Sequence, residues 1–193
     1  MVFIAIEGCI AAGKSTTARL VAGSLGHHLL LEETEHHPFL CDFYSDPARY
    51  ALETELTFVL LHYHQLSHYC GQQSFVTDFS PVKDLVFARM NLHGDDLAIF
   101  ESLYSRLAGR LCRPRLTIYL DLPVDVLMAR ILERGRPYEL AIPRTYIEHL
   151  SQCYNEHLEE LGDLVRVVKV SSGHDPEAVA RKVLEAIAAE VRA

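Results

Sequence analysis

The chain has 193 residues, of which 49% are hydrophobic and 23% charged, and its net charge is −8. This length gives one domain enough interior for a hydrophobic core, so we expect a single domain across residues 1–193. An acidic chain is a poor match for non-specific nucleic-acid binding, and no apolar run is long enough to cross a membrane. We therefore expect a cytoplasmic protein with neither nucleic acid nor membrane as a partner.

Short apolar runs alternate with amphipathic stretches along the whole chain. Five runs have the length and composition of strands buried on both faces: Phe3–Ile6, Leu29–Leu31, Phe75–Thr77, Leu116–Leu120 and Val165–Val170. Helical patterns begin near Lys14, Asp46, Pro81, Asp95, Val124, Pro143 and Pro176. Strands that alternate with helices predict an α/β fold with three layers, in which a five-stranded parallel sheet is covered by helices on both faces.

The stretch from Asp46 to Tyr69 is predicted to form one long helix. It contains no glycine, and its only proline, Pro47, follows a potential capping residue at Asp46. Gly71 is expected to stop this helix in a left-handed conformation.

The first strand runs into Gly8-Cys-Ile-Ala-Ala-Gly13-Lys14-Ser15, which matches the phosphate-loop pattern Gly-x-x-x-x-Gly-Lys-[Ser/Thr] at every defined position. The backbone N–H groups of such a loop hold phosphates, helped by the positive end of the following helix. Lys14 is expected to reach the terminal phosphates and Ser15 to hold Mg²⁺. An inert glycine turn is the alternative, and a dinucleotide-binding turn would need a different glycine spacing. The predicted ATP-binding residues are Gly8, Ala11, Ala12, Gly13, Lys14, Ser15 and Thr16.

Two other predicted strands end in carboxylates. The second predicted strand of the chain, Leu29–Leu31, delivers Glu32-Glu33-Thr34-Glu35 to the carboxyl edge of the sheet. The third predicted strand ends at Thr77-Asp78. Ligands bind at this edge in open parallel sheets, where carboxylates can accept a proton or organise Mg²⁺. An exposed acidic turn is the alternative, but two acidic strand ends beside a phosphate loop favour a site.

Three arginines, Arg130, Arg134 and Arg136, fall within seven residues and are interrupted by Gly135. Guanidinium groups match the charge of a transferring phosphoryl group. A lid at about residues 130–142 is therefore predicted, and a solvated basic helix end is the alternative.

With these motifs in place, the chain resembles the deoxynucleoside kinase family, and within it the bacterial deoxyguanosine and deoxyadenosine kinases. The likeness runs from Phe3 to about Tyr154. It rests on four motifs in family order: Ile4-Ala-Ile-Glu-Gly8 with the phosphate loop, Glu32-x-x-Glu35-x-x-Pro38-Phe39-Leu40 with Phe43-Tyr44, Asp78-x-Ser80-x-x-Lys83-Asp84-x-x-Phe87-Ala88, and Arg130-Ile-x-x-Arg134-Gly135-Arg136-x-x-Glu139.

The resemblance implies a P-loop kinase fold, ATP and Mg²⁺ as cofactors, a deoxynucleoside substrate and a homodimer. It implies that Glu32 is the general base for the 5′-hydroxyl and that Tyr44 and Glu139 hold the 3′-hydroxyl. Asp78 would assist the metal, together with Ser15. The implied catalytic set is Glu32, Lys14, Arg130, Arg134 and Arg136, and the substrate-binding set is Tyr44, Glu55, Phe58, His62, Asp78, Lys83 and Glu139.

Two positions depart from many family members. Phe79 stands where an arginine is common, and Lys83 or Arg89 is expected to replace its charge. Glu55 stands where glutamine is common, and an ionised carboxylate accepts hydrogen bonds only. Guanine presents two adjacent donors, which predicts a preference for guanine. Phe58 and His62 lie on the same helical face and either border the purine or belong to the core.

The leading hypothesis is ATP-dependent 5′-phosphorylation of a purine deoxynucleoside, with deoxyguanosine first. The alternatives are a deoxyadenosine or deoxycytidine kinase of the same family, a nucleoside monophosphate kinase, or a nucleotide-binding regulator.

The five cysteines are odd in number and include no Cys-x-x-Cys pair. This pattern favours reduced thiols over a disulfide framework or a zinc site. The eleven histidines lack the spacing of zinc motifs, so no metal is expected on them. The cysteines are Cys9, Cys41, Cys70, Cys112 and Cys153.

Overall fold

A computed structural model of the chain describes residues 1–35, 37–161, 167–171 and 175–192. Its five strands form one sheet in the order β2-β3-β1-β4-β5, and every neighbouring pair is parallel. The strands are β1 (Phe3–Glu7), β2 (His28–Leu30), β3 (Phe75–Thr77), β4 (Leu116–Asp121) and β5 (Val167–Ser171). This order places the end of β1 between the ends of β3 and β4.

Helices fill the connections between the strands. They are α1 (Lys14–Leu25), α2 (Leu40–Ser45), α3 (Pro47–Tyr69), α4 (Pro81–Asn91), α5 (Gly94–Ala108), α6 (Val124–Arg134), α7 (Arg144–Leu161) and α8 (Pro176–Arg192). Within the described ranges, no helix has the length and apolar character needed to span a membrane.

Strand β1 shows why the sheet needs helices on both faces. All five of its residues are buried, and successive side chains of a strand point to opposite faces. Ile4 and Ile6 belong to one apolar cluster, while Phe3 and Ala5 belong to another that includes Leu66 of α3. The predicted three-layer α/β fold with a five-stranded parallel sheet is therefore confirmed.

Helix α3 confirms the predicted long helix. The side chain of Asp46 accepts a hydrogen bond from the backbone N–H of Arg49 at 3.3 Å, and Pro47 opens the first turn. Gly71 has a φ of 85°, in the left-handed region that glycine favours. The helix carries Glu55, Phe58 and His62, so its placement fixes one wall of the site described below.

The predicted strands agree with the observed ones to within a residue or two. For the fifth, residues 165 and 166 lie outside the described ranges, and β5 begins at Val167. Helix α2 was not predicted. Its six residues contain Phe43, Tyr44 and Asp42, and a helix this short has almost no local signal.

The prediction that the cysteines are free thiols was wrong for two of them. Cys70 and Cys112 form a disulfide, with their Cα atoms 5.5 Å apart. Cys70 caps the end of α3, and Cys112 lies in the loop before β4. The fold brings together residues 42 positions apart, and that approach leaves no pattern in the sequence. Of the free cysteines, Cys9 is buried and Cys41 is exposed.

Candidate active site

The loop from Gly8 to Lys14 has the backbone of a phosphate-binding loop. Gly8 and Gly13 have φ values of 152° and 95°. A side chain at Gly8 would lie 2.9 Å from the Cβ of Ala12 and 3.0 Å from the carbonyl oxygen of Leu120, so only glycine fits there. Ala11 has a φ of 63°, alone among the non-glycine residues that the structure describes. Such strain at a non-glycine position is typical of functional loops.

Lys14 is the first residue of α1 and folds back over the loop. Its Nζ donates hydrogen bonds to the carbonyl oxygens of Gly8 and Cys9, both at 2.9 Å. Burial lowers the pKa of Lys14, and the nearby Lys83 lowers it further, although Glu32 opposes both effects. The ammonium group is therefore held at the loop, where it is ready to bind a phosphate.

Asp78 connects the phosphate loop to the end of β2. The hydroxyl of Ser15 donates to Oδ2 of Asp78, and the backbone N–H of Glu32 donates to Oδ1 at 2.7 Å. Oxygen donors of this kind suit Mg²⁺, which is usually held by one or two carboxylates together with phosphates. The described residues contain no cluster of three or more acidic, histidine or cysteine ligands. Ser15 and Asp78 thus fit a metal that arrives with a nucleotide.

Glu32 lies between two basic groups. The Nζ of Lys83 donates to Oε1 of Glu32, and Nε2 of His62 lies 3.0 Å from the same oxygen. The other ring nitrogen of His62, Nδ1, lies 2.6 Å from Oδ1 of Asp84. Carboxylate, imidazole, carboxylate and ammonium therefore form one continuous buried network.

The network fixes the charges of its members. Burial alone would raise the pKa of Glu32, but Lys83 and His62 overcome it and hold that pKa well below its usual range. Burial would likewise lower the pKa of His62, but Asp84 and Glu32 raise it to about 9. At neutral pH Glu32 is therefore an anion and His62 a cation.

The predicted groups face one cavity of about 570 Å³. Lys14, Glu32, Arg134 and Arg136 all line it, whereas Arg130, the fifth residue of the predicted catalytic set, is not part of its lining. The sequence analysis also placed Ser15, Tyr44, Glu55, Phe58, Asp78, Lys83 and Glu139 in the site, and all of them line the cavity.

Glu139 pairs with two arginines of the predicted lid. Arg134 donates to Oε2 of Glu139, and NH1 of Arg136 donates to Oε1 at 3.3 Å. Gly135 makes this possible because its φ of 64° ends α6 and turns Arg136 back toward the cavity. NH1 of Arg130 lies 3.3 Å from the carbonyl oxygen of Ala12, directly at the phosphate loop.

The other end of the cavity is lined by aromatic and carboxyl side chains. The ring of Tyr44 stacks on that of Tyr138, with centroids 5.8 Å apart. Glu55 is only 3% exposed and accepts a hydrogen bond from Nδ2 of Asn91 at 2.8 Å. Phe58 packs on His37 at 4.1 Å. These groups can bind a flat, polar molecule such as a nucleoside.

Some predicted residues lie elsewhere than expected. His62 is 1% exposed and lies behind the cavity wall, so its position favours a role through Glu32 over direct contact with a base. Phe79 is fully buried and stacks on His62 at 4.2 Å. Of the two residues expected to replace the arginine absent at position 79, Lys83 lies in the site and pairs with Glu32. Arg89 pairs with Glu101 and Glu160, away from the cavity. Thr16 is exposed in the first turn of α1.

The sequence analysis gave no role to Asp84, Asn91, Tyr146 or Glu7. Asp84 belongs to a motif that was noticed, but only the structure shows its pairing with His62. Tyr146 and Asn91 approach each other across 55 positions of the chain, and no spacing rule could find them. Glu7 is fully buried beneath the loop and accepts a hydrogen bond from Ser80 at 2.6 Å.

Strand β1 thus delivers a phosphate loop to the edge of the sheet where a carboxylate and a cationic lid also meet. Fold and site together define a P-loop phosphotransferase. The model of the deoxynucleoside kinase family matches residues 4–192. The chain therefore belongs to the deoxynucleoside kinase family, as the motifs had indicated.

Relatives with different named substrates are about equally similar. The chain is 30% identical over 198 residues to a deoxyguanosine kinase of Bacillus subtilis strain 168, covering 98% of this chain and 96% of that protein. It is 29% identical over 188 residues to a deoxyadenosine kinase of Dictyostelium discoideum, covering 93% of this chain and 77% of that protein. It is 30% identical over 162 residues to a deoxyadenosine/deoxycytidine kinase of B. subtilis strain 168, covering 78% and 74%. Identity therefore gives the family but not the base.

Solved structures support the fold. A deoxyadenosine kinase from M. mycoides, solved with dCMP and dCDP, superimposes with a TM-score of 0.88 at 22% identity, covering 97% of this chain and all of that one. The same enzyme with bound dATP gives a TM-score of 0.86 at 22% identity, covering 96% and 99%.

Proposed function

We propose that this protein transfers a phosphoryl group from ATP to the 5′-hydroxyl of a purine deoxynucleoside, deoxyguanosine first, in nucleotide salvage. The observation that carries the proposal is the position of Glu32, which lies as an anion in the same cavity as Lys14 and the arginines of the lid. A deoxyadenosine or deoxycytidine kinase is the closest alternative.

The phosphate loop is assigned to the ATP phosphates. Its backbone and the start of α1 bind the phosphate oxygens, and Lys14 moves from the carbonyl groups of Gly8 and Cys9 to the terminal phosphates. Ser15 and Asp78 would hold Mg²⁺, which when bound neutralises charge on the phosphates.

Glu32 is assigned the role of proton acceptor. A carboxylate with a lowered pKa is a weak base, but the transition state of phosphoryl transfer is loose. The hydroxyl becomes strongly acidic only as its bond to phosphorus forms, so a weak base that is always ionised suffices. Lys83 and His62 keep Glu32 ionised and hold it in place.

The arginines of the lid are assigned to bind the phosphoryl group during its transfer. Arg134 and Arg136 now pair with Glu139, and Glu139 with Tyr44 is expected to bind the 3′-hydroxyl of the sugar. Nucleoside binding then exchanges the partners of Glu139, which frees the guanidinium groups for phosphate. Stabilising charge on the transferring group is the largest effect available to such a site.

Glu55 supports guanine as the preferred base, because its carboxylate can accept from both N1–H and the amino group of guanine. The named substrates of the relatives keep adenine and cytosine as alternatives.

The test is a substrate panel. Purified protein with ATP and Mg²⁺ is offered the four deoxynucleosides, guanosine and deoxyguanosine monophosphate, and the products are measured. We expect deoxyguanosine to be phosphorylated fastest and guanosine poorly. Phosphorylation of the monophosphate but of no nucleoside would assign a nucleoside monophosphate kinase, and slow ATP hydrolysis without any transfer would assign a regulator.

A further inference from the structure

Glu55 is an unusually placed acid. It is 3% exposed, and what exposure it has is to the cavity. Among the residues that the structure describes, its carboxyl group accepts one hydrogen bond, on Oε1, and the donor is the neutral amide of Asn91. No lysine, arginine or histidine forms an ion pair with it within those ranges. A buried carboxylate with only an amide partner is costly, because the charge has lost its water without gaining a counter-ion.

We propose that Glu55 reads the base in two protonation states, so that its neutral acid selects adenine or cytosine and its carboxylate selects guanine. Asn91 is the positioning residue that decides which oxygen carries the proton. This inference rests on the proposed function, since it concerns the base of the same deoxynucleoside.

The contacts behind Glu55 fix the orientation of its carboxyl group. Nδ2 of Asn91 lies 2.8 Å from Oε1, and the hydroxyl of Tyr146 lies 3.4 Å from Oδ1 of the same amide. Because Oε1 already accepts a hydrogen bond from Asn91, the acidic proton belongs on Oε2. That oxygen has no partner among the described residues, and Oε1 keeps a second lone pair beside its bond from Asn91, so both oxygens can pair with a ligand in the cavity.

Each protonation state matches a different base edge. Adenine and cytosine both present a ring nitrogen acceptor beside an amino donor, which pairs with the O–H of the neutral acid and with its carbonyl oxygen. Guanine presents N1–H beside an amino group, and these two donors pair with the carboxylate. Neutral Glu55 thus has the same donor and acceptor pattern as the amide of a glutamine.

The groups around Glu55 place the loss of its proton near neutral pH. Burial raises the pKa of Glu55 to about 8. The negative charge of Asp84 also raises this pKa, whereas the hydrogen bond from Asn91 lowers it. Lys83 and His62 act weakly in the opposite direction. The remaining ionisable groups facing it are the hydroxyls of Tyr146 on α7 and Tyr44 on α2, which burial keeps neutral. Guanine supplies two hydrogen-bond donors to the carboxylate, which lowers the pKa of Glu55 in that complex and favours its ionised form when deoxyguanosine is bound.

A competition assay tests this directly. Deoxyguanosine and deoxyadenosine are supplied together, and the ratio of their kcat/KM values is measured from pH 6 to pH 9. Titration of Glu32, Lys14 or ATP affects both substrates and cancels in the ratio. We expect the ratio to rise with pH, approaching about tenfold per unit well below the pKa and levelling above it. The Glu55→Gln variant should give a ratio that is constant with pH and favours deoxyadenosine.

A ratio that does not change with pH in the unaltered protein would overturn the inference, because Glu55 would then not read the base through a change of protonation state. In that case deoxynucleosides are still phosphorylated and the proposed function survives. If no deoxynucleoside is phosphorylated at any pH, the proposed function fails instead.

Asn91→Leu separates the positioning role from general damage. Loss of the amide donor removes an interaction that lowers the pKa of Glu55, so the rise in the ratio should move to higher pH. Gln152→Leu, which changes an exposed amide on α7, is the matched control and should leave the curve in place. An unmoved curve in Asn91→Leu would show that Asn91 does not position the proton.

Discussion

One oxygen of Glu32 faces both Lys83 and His62. A carboxylate held between two cations cannot rotate freely, and its charge is available at any pH in the neutral range. Such a group accepts a proton late in a reaction, when the donor has become strongly acidic. The same two cations that weaken Glu32 as a base thus guarantee its ionised state.

Replacement of Glu32 by glutamine tests this role. The amide keeps the size of the side chain but cannot accept the proton, so kcat should fall about a hundredfold or more, within the range for loss of a general base. ATP binding should change little. Glu53→Gln is the matched control, since Glu53 is not part of the cavity lining and pairs with Arg49 at the surface. A near-normal rate in Glu32→Gln would assign the base elsewhere, to Glu33 or Glu35.

Lys83→Met tests the electrostatic part of the argument. Glu32 must be ionised to act, and its lowered pKa means that activity is lost only as pH falls through that low value. Lys83 is the largest of the influences that lower this pKa, so its removal raises the pKa toward the ordinary range. The acid limb of the kcat/KM profile should therefore move to higher pH, measured from pH 4.5 to pH 8. An acid limb that stays in place would mean that Lys83 does not control Glu32.

The secondary-structure elements were predicted well where burial alone determines them. Central strands of a parallel sheet are covered on both faces, so β1, β3 and β4 are continuous apolar runs with little ambiguity. The phosphate loop was equally clear, because a fixed spacing carries its chemistry. Helix α2 was missed because six residues leave too short a pattern for helical periodicity.

Pairings across the chain were the part that the sequence could not provide. The contact of Asn91 with Glu55 and the disulfide of Cys70 with Cys112 join residues 36 and 42 positions apart. Neither pair has a periodic signal, since each depends on where two elements end in space. Lys83 lines the cavity, and its ion pair with Glu32 joins α4 to the segment after β2 across 51 positions of the chain, which no spacing in the sequence indicated.

The disulfide gives a prediction about stability. It closes a loop of 42 residues between the end of α3 and the segment before β4, and loop-closure entropy assigns about 4 kcal/mol to such a bridge. The paired variant Cys70→Ser with Cys112→Ser should unfold at a lower denaturant concentration than the oxidised protein. Reductant should lower the midpoint of the unaltered protein and leave that of the variant unchanged.

Thiol counting is the control. Unfolded, unreduced protein should show three reactive thiols, namely Cys9, Cys41 and Cys153. Five reactive thiols would contradict the bridge and agree with a chain kept reduced in the cytosol, where disulfides are rare.

At the scale of the whole molecule, two neighbouring helices present apolar side chains to solvent. Leu60 of α3 is 51% exposed and Ile99 of α5 is 53% exposed, and the two helices pack against each other. Contiguous exposed apolar patches mark protein interfaces, and Leu60 and Ile99 are the candidates for such a patch on α3 and α5. The homodimer that the family resemblance implies would bury them, and it would also brace the helix that carries Glu55 and His62.

We expect the unaltered protein to sediment as a dimer and the paired variant Leu60→Glu with Ile99→Glu to sediment as a monomer. Two carboxylates in an apolar interface lose their hydration without gaining partners, which should weaken association by a hundredfold or more. Leu132→Glu is the matched control, because Leu132 is 63% exposed on α6, a helix outside this surface. Analytical ultracentrifugation over a range of concentrations separates the cases. A monomeric unaltered protein, or dissociation caused equally by Leu132→Glu, would exclude α3 and α5 as the interface.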